Sequence, residues 1–186
     1  MWENMLSVLG VKTFARSISS WLGRVEVAAT EDSLLFVGVG SGRAAKFLRA
    51  LGLHPPSEGC SELIDEAAAQ LIEYFEGRRR SFSLPVNFLG TDFQVRVWEK
   101  TMEIPYGSTR SYSWVARRVG CASPRPVGRA LSANHLMLIV PCHRVVEAHG
   151  GLGGFSAGLA LKKKLLQHEA RHMGEGCDKT KSASMR

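Results

Sequence analysis

The sequence predicts an α/β (α+β) fold: a small N-terminal sheet-plus-helix unit followed by a mostly helical C-terminal unit. Three observations predict it. Two strand-like runs, Gly23–Ala29 and Leu34–Val39, flank Thr30-Glu31-Asp32-Ser33, a hairpin pattern. An apolar stripe of Leu63, Ile64, Ala67, Ala68, Leu71, Ile72 and Phe75 recurs at helical spacing before Gly77. Beyond Gly90 the chain carries several short segments with helix-opening residues in front and glycine or proline behind.

Length and composition bound the rest. A chain of 186 residues with 45% hydrophobic content can bury a core and is not globally disordered. Its cysteines, Cys60, Cys121, Cys142 and Cys177, form neither a C-x-x-C pair nor a zinc spacing, so a disulfide framework and a metal site are disfavoured. No basic leader precedes an apolar core at Met1 to Gly10, and no run reaches the length of a membrane span. The expectation is a soluble protein of a reducing compartment, with no membrane partner.

The net charge of +7 is unevenly spread. Residues 1–89 hold nine Lys/Arg against ten Asp/Glu, whereas residues 90–172 hold twelve against five. The basic excess therefore accompanies Cys142. Such a patch suits a polyanion such as nucleic acid, although basic faces also occur on proteins that bind none. With the turn in composition near Gly90, this gives three expected regions: 1–89 as a support domain, 90–172 as the functional domain, and 173–186 as a disordered tail.

In the first region residues 1–20 show only weak periodicity. Arg24 and Glu26 alternate with Val25 and Val27, which predicts a sheet with one solvated face. Ala44 to Leu51 predicts a short helix ended by Gly52, and His54-Pro55-Pro56 a rigid loop. Ser61 is placed to cap the helix that Gly77 stops. Arg78-Arg79-Arg80 reads as a solvated turn at its C-terminus, and Ser81 to Phe88 as a further strand. No residue of this half reads as catalytic, and His54 with Cys60 is too few ligands for a metal.

In the second region Thr91 or Asp92 can cap a helix through Phe93, Val97, Trp98 and Met102. Ser111 or Ser113 opens a shorter one through Trp114 and Val115, closed by Gly120. Arg125 to Leu131 follows, with Pro126 suited to a first turn. Two short helices joined by a tight turn are the parts of a helix-turn-helix, but equally of any αα-hairpin. The second helix is basic through Arg125 and Arg129, and its small residues Gly128 and Ala130 suit either approach to a groove or close helix packing. A final helix, Leu159 to His172, is expected to turn Leu161, Leu165 and Leu166 inward and Lys162, Lys163 and Lys164 mostly outward.

The chemistry concentrates between these helices. An apolar run from Leu136 to Val140, read as a strand, delivers Cys142 behind Pro141, which withholds a backbone donor and turns the chain. His143 can take a proton from the thiol and Arg144 can favour its anion, the environment of a nucleophilic cysteine. Inert burial is the alternative for a cysteine ending an apolar run. The glycine-rich loop Gly150 to Gly158 lacks the strand-to-helix spacing of a dinucleotide site. It instead lets backbone approach a flat ligand, with Phe155 available for stacking.

Pro141-Cys142-His143-Arg144-Val145-Val146 resembles the acceptor-cysteine signature of the O6-alkylguanine-DNA alkyltransferases, and the likeness extends over about residues 91–171. It implies a mostly helical DNA-binding domain with a helix-turn-helix. It further implies an irreversible, single-turnover transfer of an alkyl group from O6-alkylguanine, and less well O4-alkylthymine, to Cys142. His143 would deprotonate the thiol through a water, Glu169 would orient that histidine, and Asn134 would support the cysteine turn. Tyr112 would serve the guanine leaving group and contact DNA. Arg125 would enter the base stack from a DNA-contacting helix that includes Gly128, Arg129 and Ala130. Pro141, Val145, Gly153, Phe155 and Ser156 would form the substrate pocket.

No cofactor and no metal are implied. The partner would be double-stranded DNA containing alkylated bases, met by a monomer in the cytoplasm, on the nucleoid in a prokaryote or in the nucleus of a eukaryote. Departures from the family's pattern are Phe155 where a tyrosine is frequent, Pro126 after the finger arginine, and His135 where a proline is common, which predicts a looser turn. Two other readings stand beside this one. A nonenzymatic helix-turn-helix lesion sensor or regulator would share the basic helix and need no Cys142. A thiol hydrolase would use Cys142 and His143 over many turnovers, but no oxyanion-hole motif is evident.

Overall fold

The computed structural model describes residues 11–54, 56 and 61–173. Pro55, Cys60, Cys177, the segment 1–10 and the expected tail from 174 onward lie outside the described residues. Three antiparallel strands, β1 (Phe14–Ser20), β2 (Gly23–Ala29) and β3 (Leu34–Val39), form a sheet in sequence order. The two predicted runs become β2 and β3. β1 escapes the periodicity argument because Arg16, between the buried Phe14 and Ile18, leaves the sheet surface to pair with Asp65.

The expected solvated face of the sheet is covered. Helix α1 (Arg43–Ala50) lays Ala44 and Leu48 on Ala28, Leu35 and Phe36. Glu26, expected to face water, is buried because its carboxylate accepts the backbone N–H groups of Gly42 at 2.8 Å and Ala44 at 2.9 Å. It thereby satisfies orphan donors at a helix start that has no side-chain cap of its own.

Helix α2 (Glu62–Phe75) covers the other face. Ser61 occupies its N-cap position but makes no side-chain cap bond, and Ile72, one step round from Leu71, is exposed rather than part of the stripe. Gly77, at φ 75°, ends the helix. Arg78 and Arg79 pair with Glu73 and Glu76, while Arg80 donates to the His172 carbonyl at 2.8 Å.

The strand expected at Ser81 to Phe88 does not form. Leu34 N–H donates to the Pro85 carbonyl and Asn87 N–H to the Leu34 carbonyl, leaving one isolated bridge at Val86. Pro85 has no N–H with which to extend the pairing.

Three helices follow: α3 (Asp92–Met102), α4 (Tyr112–Arg118) and α5 (Pro124–Ser132). Thr91 and Gln94 make a capping box for α3. Ser111 and Ser123 cap α4 and α5, the latter beginning one residue before Arg125 with Pro124 and Pro126 in its first turn. α4 and α5 pack on each other across residues 119–123, the arrangement of a helix-turn-helix. The last helix, α6 (Leu159–His172), has the predicted bounds, and a two-residue parallel pair links β4 (Arg110–Ser111) to β5 (Val145–Val146).

The run Leu136–Val140 is not a strand. It makes isolated bridges only, Leu136 to Val37 of β3 and Met137 to Val140. Leu138 has φ 76°, the one non-glycine positive value among the described residues, which folds the run back on itself. Cys142–Arg144 then forms a single 3-10 turn. The turn at His135 is not loose. Its ring stacks on Phe47 at 5.2 Å, meets Trp98 edge-on at 5.1 Å, and holds Nε2 at 3.3 Å from the Asn87 carbonyl. One core runs through both halves, from Val25, Val37 and Leu71 to Trp98, Leu136 and Leu165.

Candidate nucleophile site

The groups around Cys142 come from its own 3-10 turn, from the residue just past α5 and from α6. Asn134, just past α5, donates from Nδ2 to the Val140 carbonyl at 3.1 Å and to Cys142 Sγ at 3.3 Å. Its Oδ1 accepts the Leu136 N–H at 2.9 Å. One side chain therefore fixes both ends of the loop that presents the sulfur. Burial pushes the Cys142 thiol above its ordinary pKa, and the Asn134 bond and the Lys162 charge offset only part of this. At neutral pH the sulfur is held as a thiol, so its use as a nucleophile requires a base.

The adjacent imidazole is built for that role. His143 is wholly buried, with Nε2 at 2.8 Å from Glu169 Oε1. Burial lowers its pKa, and the Glu169 bond and charge oppose that shift without reversing it. The ring is thus neutral with its proton on Nε2, which leaves the Nδ1 lone pair available. Among the described residues Nδ1 has no hydrogen-bond partner.

Arg144 does not face the thiolate as expected. Its guanidinium clamps Glu169, from Nε at 3.0 Å to Oε2 and from Nη2 at 2.9 Å to Oε1, and donates from Nη1 to the Ile104 carbonyl at 2.7 Å. Burial alone would raise the Glu169 pKa, but His143 and Arg144 outweigh it and hold the carboxyl at about 2. Gly107 N–H and Tyr74 Oη complete the carboxylate's shell at 2.9 and 2.8 Å.

No residue of the first half reads as catalytic in the sequence, yet Tyr74 supplies a positioning contact that sequence reasoning missed. Tyr74 falls three residues after Leu71 on the buried face of α2. A tyrosine at core spacing, whose hydroxyl needs a partner when buried, was the available clue.

Lys162 is a second correction. Expected outward on α6, it is fully buried, with Nζ donating to the Val145 carbonyl at 2.5 Å and the Gly154 carbonyl at 3.3 Å. Helical spacing places it one turn before Leu165 and Leu166, and only tertiary packing on the glycine loop distinguishes it from Lys163 and Lys164.

In front of the sulfur lies a cleft of about 770 Å³ lined by Tyr112, Arg125, Gly128, Cys142, Gly153, Phe155 and Ser156 among others. Tyr112 Oη donates to the Gly154 carbonyl at 3.0 Å, and burial raises its pKa, so the hydroxyl keeps its proton. Gly153, at φ 67°, has no room for a side chain: a Cβ would stand 2.6 Å from the Tyr112 ring.

His143, Glu169 and Asn134 stand behind the sulfur rather than in the cleft. Val145 is buried with its carbonyl engaged by Lys162. Pro141 lines a separate cavity of about 180 Å³ beside Tyr106 and Arg144. Ala130 is turned into the core, where its carbonyl accepts from Trp98 Nε1 at 2.9 Å, and Arg129 is exposed outside the cleft. Among the described residues no cluster of three or more His, Cys, Asp or Glu could hold a metal, and no helix is long and apolar enough to cross a membrane.

Fold and site together define a class: an α+β protein with a cysteine, backed by a buried His–Glu–Arg network, at the floor of a cleft beside a basic helix pair. Comparison with known proteins narrows it. Residues 92–171 match the 6-O-methylguanine DNA methyltransferase DNA binding domain, and residues 14–88 match the ribonuclease-like domain of the same family. A methylated-DNA–protein-cysteine methyltransferase of Methanosarcina acetivorans is 38% identical over 80% of this chain and 92% of its own length.

The inducible enzyme of that name from Bacillus subtilis is 42% identical over 60% of this chain, and the Mycobacterium leprae enzyme 47% identical over 56%. Those matches span 63% and 64% of the relatives' own lengths. The crystal structure of Mycobacterium tuberculosis OGT in complex with DNA superposes with a TM-score of 0.75 at 34% identity, covering 86% of this chain and 94% of that one. The chain belongs to the 6-O-methylguanine DNA methyltransferase family.

Proposed function

We propose that this protein repairs DNA by direct reversal, moving the alkyl group of O6-alkylguanine, and less readily of O4-alkylthymine, onto Cys142 in a single irreversible turnover. The observation that carries this is the geometry of one sulfur: Cys142 opens on the cleft while His143, oriented by Glu169, stands behind it. His143 Nδ1 takes the thiol proton through one bridging water. The thiolate attacks the alkyl carbon, the S–C bond forms as the C–O bond breaks, and the base departs with the electron pair. Tyr112, protonated and on the cleft wall, supplies a donor to that leaving oxygen, without which an O-alkyl carbon is a poor electrophile.

The target base must leave the duplex to reach this depth, at a cost of a few kcal/mol. Arg125, exposed at the start of α5 between Pro124 and Pro126, fills the vacated stack. The role fits its rigid, solvent-facing position. Asn134 holds the acceptor turn, and Gly153, Phe155 and Ser156 shape the pocket, with Val145 and Pro141 supporting the turn from behind. Gly128 lets the helix approach DNA, Arg129 meets phosphate, and Ala130 seats α5 on α3. The domains follow the division 1–89 and 90–172, and the protein works as a monomer in the cytoplasm, on nucleoid DNA in a prokaryote.

Stoichiometry tests this reading. With lesion-bearing duplex in excess, repair should plateau at about one alkyl group removed per protein molecule. Repeated turnover would favour a thiol hydrolase, and tight lesion binding without removal would favour a nonenzymatic sensor.

A further inference from the structure

We propose that the Glu147 carboxylate sorts alkyl adducts by charge: it favours O6-alkylguanines whose alkyl group carries a cation, such as aminoethyl, and disfavours those that carry an anion, such as carboxymethyl. The proposal rests on the reading of Cys142 as the alkyl acceptor.

Among the described residues Glu147 is the one carboxylate that lines the cleft on which Cys142 opens. It is also isolated in the chain. No other Asp or Glu occurs between Glu103 and Glu169, a stretch that holds nine Lys and Arg. An acid on that face repels the phosphates that the neighbouring arginines attract, so it works against affinity for any DNA. No salt bridge among the described residues neutralises it.

Backbone pairing sets its position. β4 and β5 run parallel, with Arg110 opposite Val145 and Ser111 opposite Val146. The next residues along the two strands are Tyr112 and Glu147, and both line the cleft. Glu147 then opens a closed turn. Its N–H donates to the Gly151 carbonyl at 2.9 Å, and its carbonyl accepts the Gly150 N–H at 3.3 Å. One carboxylate oxygen, Oε2, takes the space that a side chain at Gly151 would need, so the charge is seated against the backbone of the turn.

Tyr112 is the donor to the leaving oxygen in the proposed reaction, and the alkyl group is bonded to that oxygen. A charged substituent on the alkyl group therefore extends from the gap between Tyr112 and Cys142 into the cleft that Glu147 borders. The carboxylate's field reaches this place: burial is the chief cause of the raised Tyr112 pKa, and Glu147 is among the groups that add to it. Once DNA covers the cleft and displaces water, that field is screened less. Arg125 also lines the cleft, but in the proposed function its side chain fills the vacated base stack, away from the alkyl group.

The test uses duplexes alike in sequence that carry O6-aminoethyl-, O6-hydroxyethyl- or O6-carboxymethylguanine, with single-turnover transfer measured for the wild type and for Glu147→Gln. The variant keeps the shape of the side chain and leaves Arg125 and His149 in place, so a change in preference belongs to the charge. Dividing each rate by that of the neutral hydroxyethyl adduct removes general effects on DNA affinity, and comparing the two proteins removes the intrinsic reactivity of each adduct. The aminoethyl-to-carboxymethyl ratio should be at least about tenfold higher in the wild type than in Glu147→Gln. Equal ratios in the two proteins would overturn the proposal.

Equilibrium binding of the same duplexes to Cys142→Ala, with and without Glu147→Gln, reads the preference without any transfer. The aminoethyl duplex should gain over the carboxymethyl duplex only where Glu147 is present, and an unchanged order of affinities would contradict the proposal. Absence of transfer from every duplex, the neutral one included, would overturn the proposed function instead, and the binding comparison would still decide whether Glu147 sorts adducts by charge.

Discussion

Tyr74 Oη and His143 Nε2 both lie 2.8 Å from the same oxygen, Oε1 of Glu169, although the two residues belong to opposite halves of the chain. The helix that covers the sheet thus helps fix the carboxylate that orients the imidazole. Tyr74→Phe removes one hydrogen bond to a buried charge, a loss of about 1.5–3 kcal/mol. The expected result is a lower denaturation midpoint and a slower alkyl transfer, with lesion-DNA affinity unchanged, read from urea unfolding and single-turnover kinetics.

Glu169→Gln should be far more damaging. It leaves the buried Arg144 guanidinium without its counter-ion, the situation in which breaking a buried pair costs about 3–5 kcal/mol. It also lets the His143 ring choose either tautomer. We expect marked destabilisation in urea and transfer slowed by more than the loss of folded protein explains.

Acid should weaken the fold through the same network. Glu169 titrates at about 2 in the folded state against an ordinary value of 4.5, so its contribution is complete above the ordinary value and is lost as pH falls from there through about 2. His143 has a lowered pKa too, so protons favour the unfolded chain once pH drops below the ordinary 6.5. Both groups give stability that falls with falling pH, measurable as a decline in Tm. Transfer rate, limited by a thiol that burial keeps protonated, should rise with pH on the alkaline side.

Gly153→Ala should abolish most transfer. The residue sits at φ 67°, and a Cβ there would stand 2.6 Å from the Tyr112 ring. Either the loop or Tyr112 must move, and the wall of the cleft moves with it. Single-turnover rates should fall at least about tenfold, the equivalent of about 1.4 kcal/mol in the barrier, while the global Tm changes little.

Much of this was legible in the chain because local chemistry and final structure agree. The hairpin, the capped helices and the Pro141-Cys142-His143 turn declare themselves through spacing and punctuation. What was not legible is what tertiary packing decides. β1 carries Arg16 on an inward position, so alternation fails. Glu26 looks solvated until α1 places its backbone donors against it. Leu136–Val140 has strand composition but folds back at Leu138. Lys162 differs from its two lysine neighbours only in what lies across from it, and Tyr74 matters only because α6 brings Glu169 to its hydroxyl.

Binding to DNA should be steeply salt-dependent, since Arg117, Arg118, Arg125 and Arg129 lie on α4 and α5 and no acidic residue occurs between Glu103 and Glu147. Replacing Arg129 with alanine should reduce the slope of log K against log salt by about 1 if it meets one phosphate. Arg125→Ala should instead slow base extrusion, lowering the transfer rate on duplex more than on single strands.

In the proposed function Cys142 itself receives the alkyl group, which the mass of the intact protein can show. After incubation with excess duplex carrying one O6-methylguanine, the protein should gain the mass of one methyl group, mapped to Cys142 and absent from Cys142→Ala. Tight binding to the lesion with no change in mass would rule out Cys142 as the acceptor and make the protein a lesion sensor.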